Sequence, residues 1–232
     1  MSNPTERATV RVLSYNIRHG QGIASLLSNA RLASVIRRIS PAVAGLQEVW
    51  RIGQIYDQPT RLAELTRMDG IYHSVHRNFA GEMGNLLLSC GTVHGTEEID
   101  IGGRREGRGC LVADIETSGV RFSFAVTHLS LHAETRVSQM QVLAEKLPHD
   151  RPLVLVGDFN CAYAELEPLG ELLTFTAETP KTFPSVFPFR ALDHIGYSRH
   201  WELKSLVTLP SFASDHLPLI AEFRLAEDAE GR

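Results

Sequence analysis

PLVLVGDFN, residues 152–160, joins a short apolar run to a polar end. A run of Leu and Val residues introduced by a proline is typical of a buried β-strand. Asp158 and Asn160 follow this run directly, so the strand would carry their side chains to one edge of a sheet. The segment predicts a buried strand that carries functional groups to a sheet edge.

The same arrangement recurs along the chain, because other polar residues stand at or just past the end of an apolar run. SYNI at 14–17 and QEV at 47–49 are followed by THL at 127–129, LDHI at 192–195 and SDHLP at 214–218. Strands that end at one edge would gather these groups into a distributed site, which is typical of an enzyme. The candidate residues are Asn16, Glu48, His128, Asp158, Asn160, Asp193, Asp215 and His216.

Helix-like patterns alternate with these strand-like runs. Residues 30–39 carry apolar side chains at helical spacing after Ser28 or Asn29 as a cap, and Pro41 ends the pattern. Residues 134–147 show the same spacing. We expect helices that cover sheets.

The middle third of the chain has the pattern of antiparallel strands, and Ser118-Gly119 is its clearest hairpin signal.

We expect one catalytic domain over residues 9–225. The segments 1–8 and 226–232 offer little apolar surface to bury, so they are expected to be flexible.

Composition limits the class of protein. The chain has 232 residues, 43% of them hydrophobic, which fits one domain with a large core. A net charge of −4 lacks the basic footprint of a protein that binds nucleic acid by bulk electrostatics. Three widely spaced cysteines and the lack of a long apolar stretch predict a cytoplasmic protein without a transmembrane segment. No protein partner is implied.

Carboxylate and amide oxygens among the candidate residues suit a hard divalent cation. The anionic oxygens of a phosphodiester repel a nucleophile, so charge that develops in the transition state must be neutralised. Glu48, Asp158, Asn160 and Asp215 supply such oxygens, and the sequence has no His/Cys cluster at zinc spacing. Magnesium prefers one or two carboxylates together with water, so we expect Mg²⁺ or Mn²⁺ as the cofactor.

His216 is the candidate general base that would deprotonate water near neutral pH. A carboxylate that accepts a hydrogen bond from the imidazole would fix its tautomer, and Asp193 is the candidate for this role. Successive side chains of an extended segment face opposite directions, so Asp215 is suited to a different task from its neighbour.

In their order along the chain, these motifs resemble those of the endonuclease/exonuclease/phosphatase superfamily. The resemblance rests on Gly-Asp-x-Asn at 157–160 and Ser-Asp-His-x-Pro at 214–218, together with Asn16 and Glu48. It implies an α/β fold, a four-layer sandwich with two central mixed β-sheets flanked by helices. It also implies one active site at the edge that the two sheets share.

The resemblance assigns roles to the metal ligands and the base. It makes Glu48 the principal metal ligand, with Asn16 and Asp215 completing the metal environment directly or through water. His216 becomes the general base, and Asp193 orients it.

The resemblance also assigns the residues that contact the substrate. Asp158 and Asn160 position the attacking water and the phosphate. His128 donates to a phosphate oxygen or assists the leaving group. Its setting in Thr-His-Leu resembles deoxyribonucleases and sphingomyelinases more than abasic-site endonucleases.

Further motifs resemble a small bacterial subset of the superfamily. They are NIRHG at 16–20, GNLLLS at 84–89, Arg136-x-x-Gln139 and TFPS at 182–185. His19 is expected to be a surface or partly buried histidine without a catalytic role, although it lies close enough to Asn16 to touch substrate.

Two loops are candidates for substrate contacts. GGRREGRG at 102–109 concentrates positive charge, and Arg108 is its candidate phosphate-binding residue, although a solvated loop explains the segment equally well. The segment 50–60 after Glu48 is expected to be a loop at the substrate entrance, or a source of packing anchors.

The expected activity is hydrolysis of a phosphate ester by water that His216 activates. The substrate is expected to be a small or lipid-headgroup phosphodiester, with DNA or RNA as the alternative. A non-catalytic binding module on the same scaffold is a third hypothesis, which predicts the loss of a metal or base residue, and none is lost.

Overall fold

The computed structural model describes residues 9–23, 27–102 and 107–227. The expected flexible segments lie outside these ranges, apart from residues 226 and 227. Among the described residues, no helix combines the length and the apolar character needed to cross a membrane.

Twelve strands run through the described ranges. They are β1 (Thr9–Asn16), β2 (Val43–Ile52), β3 (Tyr56–Asp57), β4 (Asp69–Asn78), β5 (Gly81–Ser89), β6 (Thr92–Asp100), β7 (Gly109–Thr117), β8 (Val120–His128), β9 (Leu153–Asp158), β10 (Asp193–Tyr197), β11 (Trp201–Thr208) and β12 (Leu219–Leu225).

The strands form two mixed sheets. The seven-stranded sheet has the order β11-β12-β1-β2-β5-β4, with β3 paired to β2, and the five-stranded sheet has the order β10-β9-β8-β7-β6. Each described sheet has one parallel pair, β1 with β2 and β8 with β9, among antiparallel neighbours. The carboxyl ends of both parallel pairs carry the polar motifs.

Within the described ranges, three α-helices cover the outer faces of the sheets. They are α1 (Asn29–Ile39), α2 (Gln58–Thr66) and α3 (Ala133–Lys146). The side chain of Ser28 caps α1 by accepting from the backbone N–H of Arg31, as the sequence predicts. Helices α1 and α2 pack on the seven-stranded sheet, and α3 packs on the five-stranded sheet.

Three apolar clusters separate the layers. Side chains alternate along β1, so Val12 faces the second sheet while Leu13 faces α1. Met140 and Leu143 of α3 join the cluster beneath the five-stranded sheet. The predicted four-layer sandwich with two central mixed sheets is confirmed.

The two sheets pack closely against each other at Gly45 of β2. A Cβ atom at this position would lie 2.5 Å from Val156 Cγ2 and 2.9 Å from Val126 Cγ2. Real Cβ contacts are not this short, so only glycine fits between the sheets at this point.

One predicted loop has regular structure instead. The segment 50–60 was expected to be a loop, but Trp50 continues β2, and α2 begins at Gln58. The carboxylate of Asp57 caps α2 by accepting from Thr60 N at 3.2 Å.

The predicted hairpin is confirmed, since Ser118 and Gly119 join β7 to β8 with φ of 53° and 75°.

Candidate active site

Strand register brings the polar motifs of the five-stranded sheet side by side. On the parallel pair β8 and β9, His128 lies opposite Asp158. On the antiparallel pair β9 and β10, Asp158 lies opposite Asp193. The central Asp158 therefore has a predicted site residue on each side.

Asn16 connects the two sheets at their common edge. This side chain at the end of β1 is 1% exposed. Its Nδ2 donates to Glu48 Oε1 at 3.0 Å and to Asp158 Oδ2 at 2.9 Å. Its Oδ1 accepts from Arg18 N at 3.0 Å, which fixes the orientation of the amide. One buried amide thus holds carboxylates from both sheets near each other.

Glu48 reaches this edge through an irregularity in β2. The pairing of β2 with β5 shifts register between Leu46 and Val49, and Glu48 has φ of 57°. A positive φ is uncommon for a residue with a side chain and is often held in place at a functional site. The bulge turns the carboxylate, which is 25% exposed, toward the opening of the site.

His216 and Asp193 form a buried pair. His216 Nδ1 lies 2.8 Å from Asp193 Oδ2, so Nδ1 donates to the carboxylate. His216 Nε2 lies 3.7 Å from Asp158 Oδ2. Burial lowers the pKa of His216, but attraction to Asp193 and the hydrogen bond outweigh it and raise this pKa to about 10.

Asp158 is a buried carboxyl group between these residues and Asn16. Burial, followed by repulsion from Asp193, raises the pKa of Asp158 to about 7. Two buried carboxylates so close together are costly when one imidazolium is their nearby compensating charge. The site would therefore gain from a further positive charge.

His128 and Asn160 form another wall of the site. His128 Nε2 lies 3.1 Å from Asn160 Nδ2 and 3.6 Å from Asp158 Oδ2. Asn160 Nδ2 also donates to the backbone carbonyl of Leu129 at 3.0 Å. Burial lowers the pKa of His128 well below its ordinary value, and the positive charge of Arg108 lowers it further. The ring is therefore neutral at pH 7.

The segment that carries Asp215 and His216 is fixed from two directions. Ser214 Oγ donates to Asn16 O at 2.8 Å. Ser185 donates from its N–H to Asp215 O at 2.7 Å and from its Oγ to Ser214 O at 2.8 Å. The ring of Phe183 lies 4.9 Å from that of His216. The TFPS motif therefore supports the segment, a role that its sequence did not indicate.

Asp215 points away from the pair formed by Asp193 and His216. Its Oδ2 lies 3.4 Å from Arg18 Nε, and its Oδ1 lies 3.3 Å from Ser214 Oγ. The prediction that Asp215 and His216 serve different tasks agrees with this geometry. In this arrangement Asp215 forms an ion pair with the guanidinium group of Arg18.

Arg108 lies close enough to His128 to affect the pKa of that ring. Together with His73 and Asp100 it lines an open cavity of about 470 Å³. The other two arginines of the predicted basic loop, at positions 104 and 105, lie outside the described residues.

The donor set fits a divalent cation. Asp158, Asp193 and His216 place ligand atoms within 4.8 Å of one another. Among the described residues, Asp193 Oδ1 is buried and has no hydrogen-bond partner. This trio includes neither Glu48 nor Asp215, the two carboxylates predicted as ligands. A bound cation would nevertheless stabilise the ionised forms of the buried carboxylates, among them Asp158 with its raised pKa.

His19 is the site residue to which the sequence assigned no definite role. Its Nδ1 lies 3.1 Å from Glu48 O, its Nε2 lies 3.7 Å from Glu48 Oε2, and its ring contacts Trp50 edge-on at 4.8 Å. Gln58 holds the turn by donating to His19 O at 2.8 Å. The NIRHG motif pointed to the turn. The sequence placed Gln58 in the segment 50–60 after Glu48, but it did not indicate that Gln58 supports His19.

Comparisons with known proteins agree with this architecture. The family model described as Endonuclease/Exonuclease/phosphatase family matches residues 13–216. A structure of an endonuclease/exonuclease/phosphatase from Beutenbergia cavernae superposes with a TM-score of 0.82 at 22% identity, covering 95% of this chain and 72% of that one. None of the curated proteins matches.

Two further structures carry functional names. The human Nocturnin catalytic domain with a bound sulfate anion has a TM-score of 0.76 at 21% identity, covering 95% of this chain and 96% of that one. A mannosyl-6-phosphatase from Bacteroides thetaiotaomicron has a TM-score of 0.73 at 17% identity, covering 92% and 99%. At these identities the likeness shows a shared fold.

The family match spans most of the chain and includes the motifs that form the site. Family members are typically hydrolases that act on phosphoester bonds, and they generally depend on a divalent metal ion. By its sequence and by its four-layer fold, the chain belongs to the Endonuclease/Exonuclease/phosphatase family.

Proposed function

We propose that this protein is a divalent-metal-dependent phosphodiesterase in which His216 activates the attacking water. The observation that carries the proposal is the buried pair of His216 and Asp193, joined at 2.8 Å, with the other ring nitrogen directed toward Asp158. An imidazole held in this way by a carboxylate is suited to remove a proton from water.

Glu48 would hold the cation, with Asp158 beside it and Asp215 acting through water, while Asn16 would position both Glu48 and Asp158 through its Nδ2 hydrogen bonds. Asp193 is less suited to this role, because its Oδ2 is already bonded to the base. Glu48 is partly exposed at the opening, where a hydrated Mg²⁺ or Mn²⁺ can keep several waters. When bound, the cation supplies positive charge that stabilises the transition state and lowers the pKa values of the water and of His216.

Asp193 keeps the His216 ring oriented and stabilises the imidazolium that forms when the ring takes a proton. Asp158 and Asn160 position the water and the phosphate. His128 is neutral in the free protein, and an anionic phosphate beside it would raise its pKa, so that the ring can donate to a phosphate oxygen or to the leaving group. Arg108 lies near His128 and adds charge that favours an anion.

The substrate class that we propose is a small or lipid-headgroup phosphodiester. The net charge of −4 argues against broad electrostatic binding to nucleic acid. A phosphate monoester is the second candidate, because one structure that shares the fold is named a mannosyl-6-phosphatase.

A substrate panel tests the proposal. The purified protein, with Mg²⁺, with Mn²⁺ and with excess EDTA, is given bis(p-nitrophenyl) phosphate, p-nitrophenyl phosphate, phospholipid vesicles, DNA and RNA. We expect metal-dependent release of product from the diesters. Faster turnover of the monoester would favour the phosphatase, salt-sensitive cleavage of DNA or RNA would favour a nuclease, and no turnover at all would contradict the proposal.

A further inference from the structure

A histidine outside the predicted catalytic set stands beside the proposed metal ligand. His19 lies in the short turn that follows β1, at the opening of the site, and its side chain is 30% exposed. Its Nε2 lies 3.7 Å from Glu48 Oε2. That separation is too long for a hydrogen bond. It is suitable for two ligand atoms that share one cation, since each would lie about 2 Å from the ion.

The second ring nitrogen is tied to the backbone. His19 Nδ1 lies 3.1 Å from the carbonyl oxygen of Glu48 and must donate to it, because that oxygen can only accept. In the neutral ring, Nε2 then carries the lone pair. A histidine that binds a metal almost always donates its other N–H to a carbonyl or carboxylate, which fixes the tautomer and the ring orientation. His19 has this arrangement.

The backbone of the turn is held in an unfavourable conformation to place this ring. His19 has φ of 57° and ψ of 10°, which is uncommon for a residue other than glycine. Gln58, which is fully buried, donates to His19 O at 2.8 Å and accepts from Trp50 N at 2.9 Å. Trp50 packs edge-on against the imidazole. Such strain persists where the surroundings enforce it, most often at functional sites.

We propose that His19 Nε2 is a nitrogen ligand of the divalent cation that Glu48 holds. The inference rests on the proposed function, since that function places a cation at Glu48. An imidazole ligand makes the site favour Mn²⁺ or a later transition metal over Mg²⁺, which prefers oxygen ligands.

The test detects nitrogen bound to the metal without any substrate. The protein is loaded with Mn²⁺, and electron spin echo envelope modulation measures coupling between the ion and nearby ¹⁴N nuclei. We expect ¹⁴N coupling in the wild type, loss of this coupling in His19→Asn, and its retention in His216→Asn. Asparagine is chosen because it tolerates a positive φ.

Affinity gives a second readout on the same samples. Titration calorimetry should show that His19→Asn weakens Mn²⁺ binding about tenfold or more, with a smaller effect on Mg²⁺. His149→Asn, which removes an exposed histidine near the end of α3, serves as the control and should leave both affinities unchanged. Thermal unfolding of the metal-free variants verifies that each one is folded.

The outcomes separate this inference from the proposed function. Bound Mn²⁺ without ¹⁴N coupling, or coupling that persists in His19→Asn, would overturn the ligand role and leave the phosphodiesterase proposal standing. Coupling that depends on His19, in a protein that turns over no substrate, would support the ligand role and overturn the proposed activity. Failure to bind any divalent ion would overturn both.

Discussion

His216 contacts two carboxylates inside the protein, and this small group determines the electrostatics of the site. With Asp158 and Asp193 ionised and the imidazole protonated, the trio keeps one net negative charge in a buried place. The raised pKa of Asp158, about 7, expresses the cost of that charge. A divalent cation reduces the cost, which is the physical reason to expect that the metal and the base act together.

The neighbouring His194 has a structural role, and its acid sensitivity can be predicted. It faces the opposite side of β10 from Asp193, donates from Nε2 to Cys161 O at 2.9 Å, and packs against Phe159. Burial lowers the pKa of His194 in the folded protein. The unfolded chain therefore takes up a proton first as the pH falls, so the stability that the neutral ring contributes is present above about pH 6.5 and is lost below it.

We expect His194→Gln to be less stable than the wild type at pH 7.5 by about 1–3 kcal/mol, the cost of disturbing a buried hydrogen bond. Its further loss of stability between pH 7.5 and pH 5.5 should be smaller than in the wild type. Urea unfolding at both pH values measures this difference, with the exposed His149→Gln as the control. An equal loss in His194→Gln and the wild type would contradict the prediction.

Helix α3 supports the wall of the candidate site that His128 and Asn160 form. Gln139 accepts from Ser130 N at 2.9 Å and donates to Gly102 O at 3.2 Å. Arg136 donates to Leu131 O at 2.8 Å. These contacts fix the segment that follows His128, including the Leu129 carbonyl that Asn160 contacts. Arg136 and Gln139 lie about one helical turn apart on the buried face of α3. The role of the Arg-x-x-Gln motif is thus to position the segment after His128.

Gln139→Leu would keep the size of the side chain but remove the Oε1 that accepts from Ser130 N. We expect a loss of about 1–3 kcal/mol in the free energy of unfolding. We also expect a lower kcat, because the His128 segment is no longer held. Ser138→Ala, an exposed change on the same helix, should alter stability by less than about 0.5 kcal/mol. If Gln139→Leu matched the wild type in both stability and kcat, α3 would have no positioning role.

Two helices could be predicted from the sequence because apolar residues recur at helical spacing along their whole length. Helices α1 and α3 have buried residues at helical spacing, and Pro41 marks the end of the first. Helix α2 was missed, because it is short and its apolar pattern is sparse. Asp57 followed by Pro59 was the available start signal.

The two sheets depend on a glycine where they meet, and this makes the sandwich testable as a whole. Gly45→Ala would place a methyl group against Val126 and Val156 of the other sheet. We expect a loss of about 1–3 kcal/mol or more, the usual cost of overpacking a core. Gly95→Ala on β6 is the matched control, since a Cβ there meets no atom within 4 Å. Urea unfolding compares them, and equal stabilities would contradict close contact of the sheets at Gly45.

The four-layer sandwich was predicted from the resemblance of the motifs to a known family. The gathering of the candidate residues at one sheet edge was predictable, because strand ends are local features of the sequence. The contacts between Asn16 and the carboxylates of both sheets agree with that expectation. The setting of His19 was not predictable. It depends on a positive φ, on Gln58 from a helix that the sequence did not reveal, and on a bulge in β2 that turns Glu48.

The most direct test of the central claim, that His216 activates water in a metal-dependent phosphodiesterase, is the initial rate of bis(p-nitrophenyl) phosphate hydrolysis by matched variants. Wild type, His216→Asn and His149→Asn are compared with Mn²⁺ and with excess EDTA. The structure predicts that His216→Asn lowers the rate on the order of 10²-fold or more, that EDTA abolishes it, and that His149→Asn equals the wild type. A His216→Asn enzyme with the wild-type rate, or a rate that EDTA does not change, would contradict the account.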